Sequence, residues 1–149
     1  MNIKQILHKN CQDQVNDKLA KLENTLIQIQ ESLESETKSS AGDKHETGRA
    51  MIHLEREQLG SQLSIIEKEK EILKRINSNV DNEIISLGSW VKTSQLNYFI
   101  SIGLGKITIE PSEFYAISVD SPIAQLLLGK RVGDKVFFRN QEILINETH

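Results

Sequence analysis

The chain has 149 residues and a formal net charge of −3, from 18 Lys and Arg against 21 Asp and Glu. With 26% charged and 38% apolar residues, it is neither a highly charged disordered tail nor a strongly basic nucleic-acid coat. It lacks an apolar run of about 18 residues and an apolar signal core, and Cys11 is a lone cysteine; no membrane partner is expected, and a reducing, cytoplasmic setting is.

The first arm is predicted as a helix from Ile3 to about Glu36. Val15, Leu19, Leu22, Leu26, Ile29 and Leu33 step by fours and threes, which is a heptad seam. The segment Thr37-Lys38-Ser39-Ser40-Ala41-Gly42-Asp43 is rich in residues that favour turns and helix starts. A second helical arm is expected from about Gly48 to Asn77. There Ile52, Leu59, Ile66 and Leu73 step by sevens, and Leu63 and Ile76 widen the stripe. Two arms of similar length around one turn predict an antiparallel coiled-coil hairpin, each arm reaching roughly 45–50 Å at the helical rise. A parallel dimeric coiled coil and half of a four-helix dimer remain open as alternatives. The organisation expected is a hairpin over residues 1–78, with its tip at about 37–48, and a second domain over 79–149.

All the aromatic residues lie beyond residue 89, beginning with Trp90, and both prolines lie there too. After a polar stretch from Asn77 to Glu83, strand-like runs are read at Ile84–Val91, Leu96–Ile102, Lys106–Glu110 and Glu113–Val119. Gly103-Leu104-Gly105 reads as a hairpin turn, not as a phosphate loop, because no third glycine or helix follows. Ser121-Pro122 opens a short helix over Ile123–Leu128, with serine as N-cap and proline at the first helical position, and Gly129 stops it. Lys135–Arg139 and Glu142–Ile145 should close a hairpin across Asn140-Gln141. The fold class is therefore α+β: the two-helix hairpin, then a small antiparallel sheet with one short helix on a face.

No pattern for a self-contained active site is present. His8, His45, His53 and His149 are scattered and expected to be exposed, and Cys11 is expected to be a packed core thiol. The remaining candidate is Asp43 with Glu46, three apart near the hairpin tip. Their spacing fits a capping box at the start of the second arm. It also fits two carboxylates on one side of a helix start, which could hold Mg²⁺ only with ligands from elsewhere, since that ion takes six.

The run Ile117-Ser118-Val119-Asp120-Ser121-Pro122-Ile123-Ala124-Gln125-Leu126-Leu127-Leu128-Gly129-Lys130-Arg131-Val132-Gly133-Asp134-Lys135-Val136 closely resembles the signature of the bacterial Gre transcript-cleavage factors, GreA and GreB. Gly42-Asp43-Lys44-His45-Glu46 resembles that family's Gly-Asp-x-x-Glu tip. The resemblance implies an FKBP-like C-terminal domain that docks on RNA polymerase at the rim of its secondary channel, with Asp120, Ser121 and Pro122 as partner-binding residues. It further implies that Asp43 and Glu46 assist the polymerase's catalytic site. They would help hold a second Mg²⁺, shared only in the complex, while the polymerase hydrolyses the backtracked 3′ end of the nascent RNA. On this reading the chain is not itself an enzyme and binds no cofactor alone. After Glu46 the family usually continues Asn-Ala-Glu-Tyr, whereas this chain has Thr47-Gly48-Arg49-Ala50. A channel-binding modulator that stimulates no cleavage is therefore the nearest alternative. A coiled-coil adaptor without polymerase contact is a second, and a prolyl isomerase, suggested by the FKBP-like shape alone, is a third.

Overall fold

The computed structural model describes the backbone of residues 1–38 and 42–149, and the side chains of all but residues 36–47. The element order is α1 (Ile3–Lys38), α2 (Gly42–Lys74), β1 (Trp90–Thr93), β2 (Asn97–Ser101), β3 (Gly105–Ile109), β4 (Ser112–Ser118), α3 (Pro122–Leu127), β5 (Lys135–Phe138) and β6 (Gln141–Thr148). The α+β class expected from the sequence is the one observed. The chain divides into two compact units, residues 1–13 with 71–149 and residues 14–70. No described helix is long and apolar enough to cross a membrane.

In the unit of residues 14–70, α1 and α2 run antiparallel. Lys18, Leu22 and Thr25 of α1 face Leu59, Gln62 and Ile66 of α2 across one groove. The heptad seam explains the pairing. Val15, Leu22, Ile29 and Leu33 are buried, and Leu19, Leu26, Ile52, Leu59, Leu63 and Ile66 are half-buried. α2 begins at Gly42, six residues ahead of the expected start. The predicted turn over 37–43 thus keeps Lys38 in α1 and Gly42 and Asp43 in α2, and its centre, 39–41, lies outside the described residues. The low helix propensity of Thr47-Gly48 does not interrupt the helix, because propensity is a weak term beside a packed seam.

In the other unit, a six-stranded sheet has the order β3-β4-β2-β1-β6-β5. Phe99 and Phe114 are fully buried, and the Trp90 ring meets Phe114 edge-on at 5.7 Å. A core of Ile85, Val91, Ile100, Ile123, Leu127 and Ile145 joins α3 to the sheet. The first turns of α1 belong to this unit. Leu7 and Cys11 are fully buried, Cys11 Sγ lies 3.9 Å from Ser101 Oγ, and His8 Nε2 lies 2.8 Å from the Leu73 carbonyl. Burial pushes the Cys11 thiol up to about 11, with the Ser101 contact opposing the shift. The packed thiol expected from the sequence is the one observed.

Four local expectations are corrected. The strand read at Ile84–Val91 starts only at Trp90. Gly88, at φ +90°, breaks the run, and Ile85 instead exchanges backbone hydrogen bonds with Gly129 (2.8 Å) and Lys130 (2.9 Å). The sheet is not wholly antiparallel, since β2 and β4 pair in parallel from Tyr98↔Tyr115 to Ser101↔Ser118. Gly103-Leu104-Gly105 is consequently not a hairpin turn. It carries the chain from β2 past one strand position to β3, and β4 then fills the gap. The last hairpin turns across Arg139-Asn140, not Asn140-Gln141. Both residues have positive φ (52° and 63°) and Phe138 pairs with Gln141, which is a two-residue loop whose twist suits the strands.

Candidate functional site

The helix-tip pair is placed only by its backbone. Asp43 and Glu46 are the second and fifth residues of α2, and their side chains, with that of His45, lie outside the described residues. Among the described residues, no group of three or more His, Cys, Asp or Glu side chains could hold a metal ion.

The second candidate, the turn from Ser118 into α3, is described in full. Ser121 has extended backbone (φ −66°, ψ 152°), and its Oγ accepts from the Ala124 amide at 3.3 Å, with Pro122 at the helix start. This is the cap expected from the sequence. Ser118 Oγ accepts from the Asp120 amide at 3.1 Å, and Gln125 Nε2 donates to the Val119 carbonyl at 2.7 Å, so side chains fasten the turn from both ends. α3 buries Ile123, Ala124 and Leu127 in the core and leaves Gln125 and Leu126 outside. Gly129 follows the helix at φ +82°, as the predicted stop requires.

The three predicted partner-binding residues therefore differ in what they can offer. Ser121 is half-buried with its hydroxyl engaged in capping, whereas Asp120 and Pro122 are exposed. The same division runs through the rest of the segment. Asp134 Oδ2 accepts from the Arg131 amide at 2.8 Å and fixes the next turn, while Lys130, Arg131 and Val132 face solvent. The turn is fastened by side chains and leaves the Asp120 carboxylate and the Pro122 ring exposed, and Lys130 and Arg131 are exposed beyond α3. It carries no nucleophile–base pair for chemistry of its own.

A further feature was not read from the sequence. A cleft of about 580 Å³ is lined by Asn2, Lys4, Asp81, Trp90, Lys92 and His149 among others. His149 was expected to be exposed but is held. Its Nδ1 lies 3.0 Å from Asp81 Oδ1, its Nε2 lies 2.8 Å from Glu147 Oε1, and its ring stacks on Trp90 at 4.2 Å. Lys4 is buried, and its Nζ donates to the Val80 carbonyl at 2.6 Å. Burial lowers the pKa of its ammonium, and Asp81 opposes that shift. Residues 68 positions apart in sequence meet here, so no local spacing could have announced it.

Residues 77–143 match the family model described as transcription elongation factor, GreA/GreB, C-term. The β-rich part of the chain, with its Ser121-Pro122 turn, is thus a GreA/GreB C-terminal domain. Transcription elongation factor GreA of Thermotoga sp. (strain RQ2) is 33% identical over 104 residues, which cover 68% of this chain and 61% of that protein. Residues 77–143 place this part of the chain in the GreA/GreB family, and the chain as a whole is similar to members of that family. It spans about 61% of the length of the curated relative it matches. A solved structure of the transcription factor Gfh1 is similar over 92% of each chain, at 21% identity and a TM-score of 0.36.

Proposed function

We propose that the protein is a Gre-type elongation factor acting in the cytoplasm on RNA polymerase, with docking and chemical assistance assigned to different parts of the chain. The C-terminal domain binds the polymerase at the mouth of its secondary channel through the exposed Asp120 and Pro122, held in place by the Ser121 cap. The tip of the hairpin brings Asp43 and Glu46 to the polymerase's active centre. The observation that carries this reading is the family match over residues 77–143, which contains the fastened turn with its exposed carboxylate and proline.

The tip residues fit a supporting role toward Mg²⁺. Two carboxylates three apart supply only part of the six ligands that ion takes, so its remaining ligands would come from the polymerase. A second Mg²⁺ held there would stabilise charge on the oxygens of the cleaved RNA phosphodiester. The chain's own contribution is to deliver the two negative groups. The protein would be no enzyme by itself, and its activity would appear as faster hydrolysis of the backtracked nascent RNA 3′ end.

Stalled, backtracked elongation complexes test both parts. Asp43→Ala with Glu46→Ala should abolish stimulated cleavage and leave polymerase binding intact. Asp120→Lys should weaken binding itself. If the tip variant cleaves as fast as the parent, the ligand role is wrong, and if the parent does not bind polymerase, the whole reading is wrong. Thr47-Gly48-Arg49-Ala50 favours a second reading, a channel-binding modulator, because an arginine stands near the acidic pair where the resembling family carries a glutamate. In that case the protein competes with a cleavage factor for polymerase and shortens no transcript.

A further inference from the structure

The cleft beside Trp90 holds a positive charge without a counter-ion. Lys4 lines it and is only 4% exposed. Its Nζ donates to the Val80 carbonyl, and among the described residues it forms no ion pair. An ammonium has three donors, and a buried charge is ordinarily paired, so one neutral carbonyl leaves Lys4 short of partners and of neutralisation. Burial disfavours the charged form, and Asp81 acts on it through space without fully offsetting that effect.

The acids of the cleft are engaged elsewhere. Asp81 and Glu147 each place one oxygen on the His149 ring, at 3.0 and 2.8 Å. The second Glu147 oxygen lies 4.0 Å from Lys92 Nζ, and that ammonium also stands 5.8 Å from the centre of the Trp90 ring. The two acids equal the two lysines in number, yet the geometry gives them to His149 and Lys92 and leaves Lys4 over. Ile3, Val80 and Trp90 supply apolar wall. A volume of about 580 Å³, mostly apolar surface and a few placed charges are the attributes of a small-molecule site. A cation would meet two ammonium groups, and a neutral molecule would leave Lys4 as it stands. An anion supplies what is missing.

We propose that the cleft binds a small organic oxyanion, a carboxylate or a phosphate ester, with its head group on Lys4 and a short apolar body against Ile3, Val80 and Trp90. The site shares no residue with the Asp43–Glu46 pair or the Asp120–Pro122 turn, and it does not rest on the polymerase reading.

Trp90 is the only tryptophan of the chain, so its fluorescence reports on the cleft directly. The full-length protein is titrated with pentanoate, butyl phosphate and pentanamide, which share a short aliphatic body and differ in the head group. At least one of the two anions should change the Trp90 emission saturably and bind at least about tenfold more tightly than neutral pentanamide, and the tighter of the two names the head group. Lys4→Met should weaken that binding at least about tenfold, and Lys4→Arg, which keeps the charge, should retain it. Without any anion, Lys4→Met should unfold at a higher denaturant concentration than the parent. It removes an uncompensated buried charge, and Val80, itself 46% exposed, can turn its carbonyl to water. A lysine that merely fastens the Val80 segment would behave in the opposite way. Lys4→Met would then be less stable than the parent and bind the anions unchanged, and that result overturns the proposal. Equal affinity for all three probes overturns it, as does the absence of a saturable change with either anion.

Discussion

The two compact units bury their apolar residues in different ways. In residues 14–70 the buried side chains lie along one seam, and α2's share of it is only half-buried. In the other unit, Phe99, Phe114, Ile100 and Leu127 have no exposed surface, and neighbours from several elements surround them. A seam spreads stabilisation over many small contacts, whereas a closed core concentrates it in a few residues.

The largest expected effect is therefore in the sheet. Phe99→Ala removes a fully buried ring and should cost about 3–5 kcal/mol in denaturant unfolding. Leu59→Ala, on the half-buried side of the helical seam, should cost about 1 kcal/mol. Similar losses at the two sites would show that the hairpin seam is as tightly packed as the sheet core, and the contrast would fail.

Next comes the packed thiol at the base of α1. Cys11 is pushed up to about 11 from an ordinary value of 9.0. Below pH 9 the thiol is neutral in both folded and unfolded chains, and the stabilisation is complete. Between pH 9 and 11 the unfolded chain ionises while the folded thiol resists, so stability falls by about 2–3 kcal/mol. Other groups titrate in this window, so the measurement is the difference between the parent and Cys11→Ala, in which this part of the slope disappears. Parallel pH profiles would mean that the thiol is solvated in the folded protein.

Gly88→Ala should cost about 2 kcal/mol, since φ is +90° and the new Cβ would stand 2.8 Å from Ile76 Cγ2. Ile76→Ala removes the opposing atom but not the backbone strain. The double variant should be more stable than the sum of the single losses predicts, by about 1 kcal/mol. Strict additivity in thermal unfolding would show that the two residues do not meet.

These sites also mark where sequence reasoning succeeds and where it stops. Both long helices were legible because a heptad repeats over many turns, and a helix start misread by six residues did not disturb the pattern. The segment from Ile84 to Ser89 was misread because Ile84, Ile85 and Leu87 imitate a strand. What decides the matter is a left-handed Gly88 and a backbone exchange with residues more than forty positions away. The parallel β2–β4 pair was equally hidden, because each strand is readable locally but its neighbour is chosen by the whole sheet. At the candidate sites, the Ser121-Pro122 cap was readable from two adjacent residues. The His149–Asp81 contact had no local signature at all.

The smallest effect separates structure from recognition at the turn. Ser121→Ala removes the hydroxyl that accepts from Ala124 and should lower stability by about 1 kcal/mol in denaturant unfolding. Ser121→Asp keeps an oxygen at the cap and should recover most of that loss, because aspartate is an equally good N-cap. The two variants differ in charge beside Asp120, so their polymerase affinities carry separate information. If Ser121 serves only to set the turn, affinity should follow stability, and Ser121→Asp should bind like the parent. If its hydroxyl also touches the partner, Ser121→Asp should be as stable as the parent and still bind less tightly. The exposed Asp120 and Pro122 would then share recognition with the residue that holds them in place.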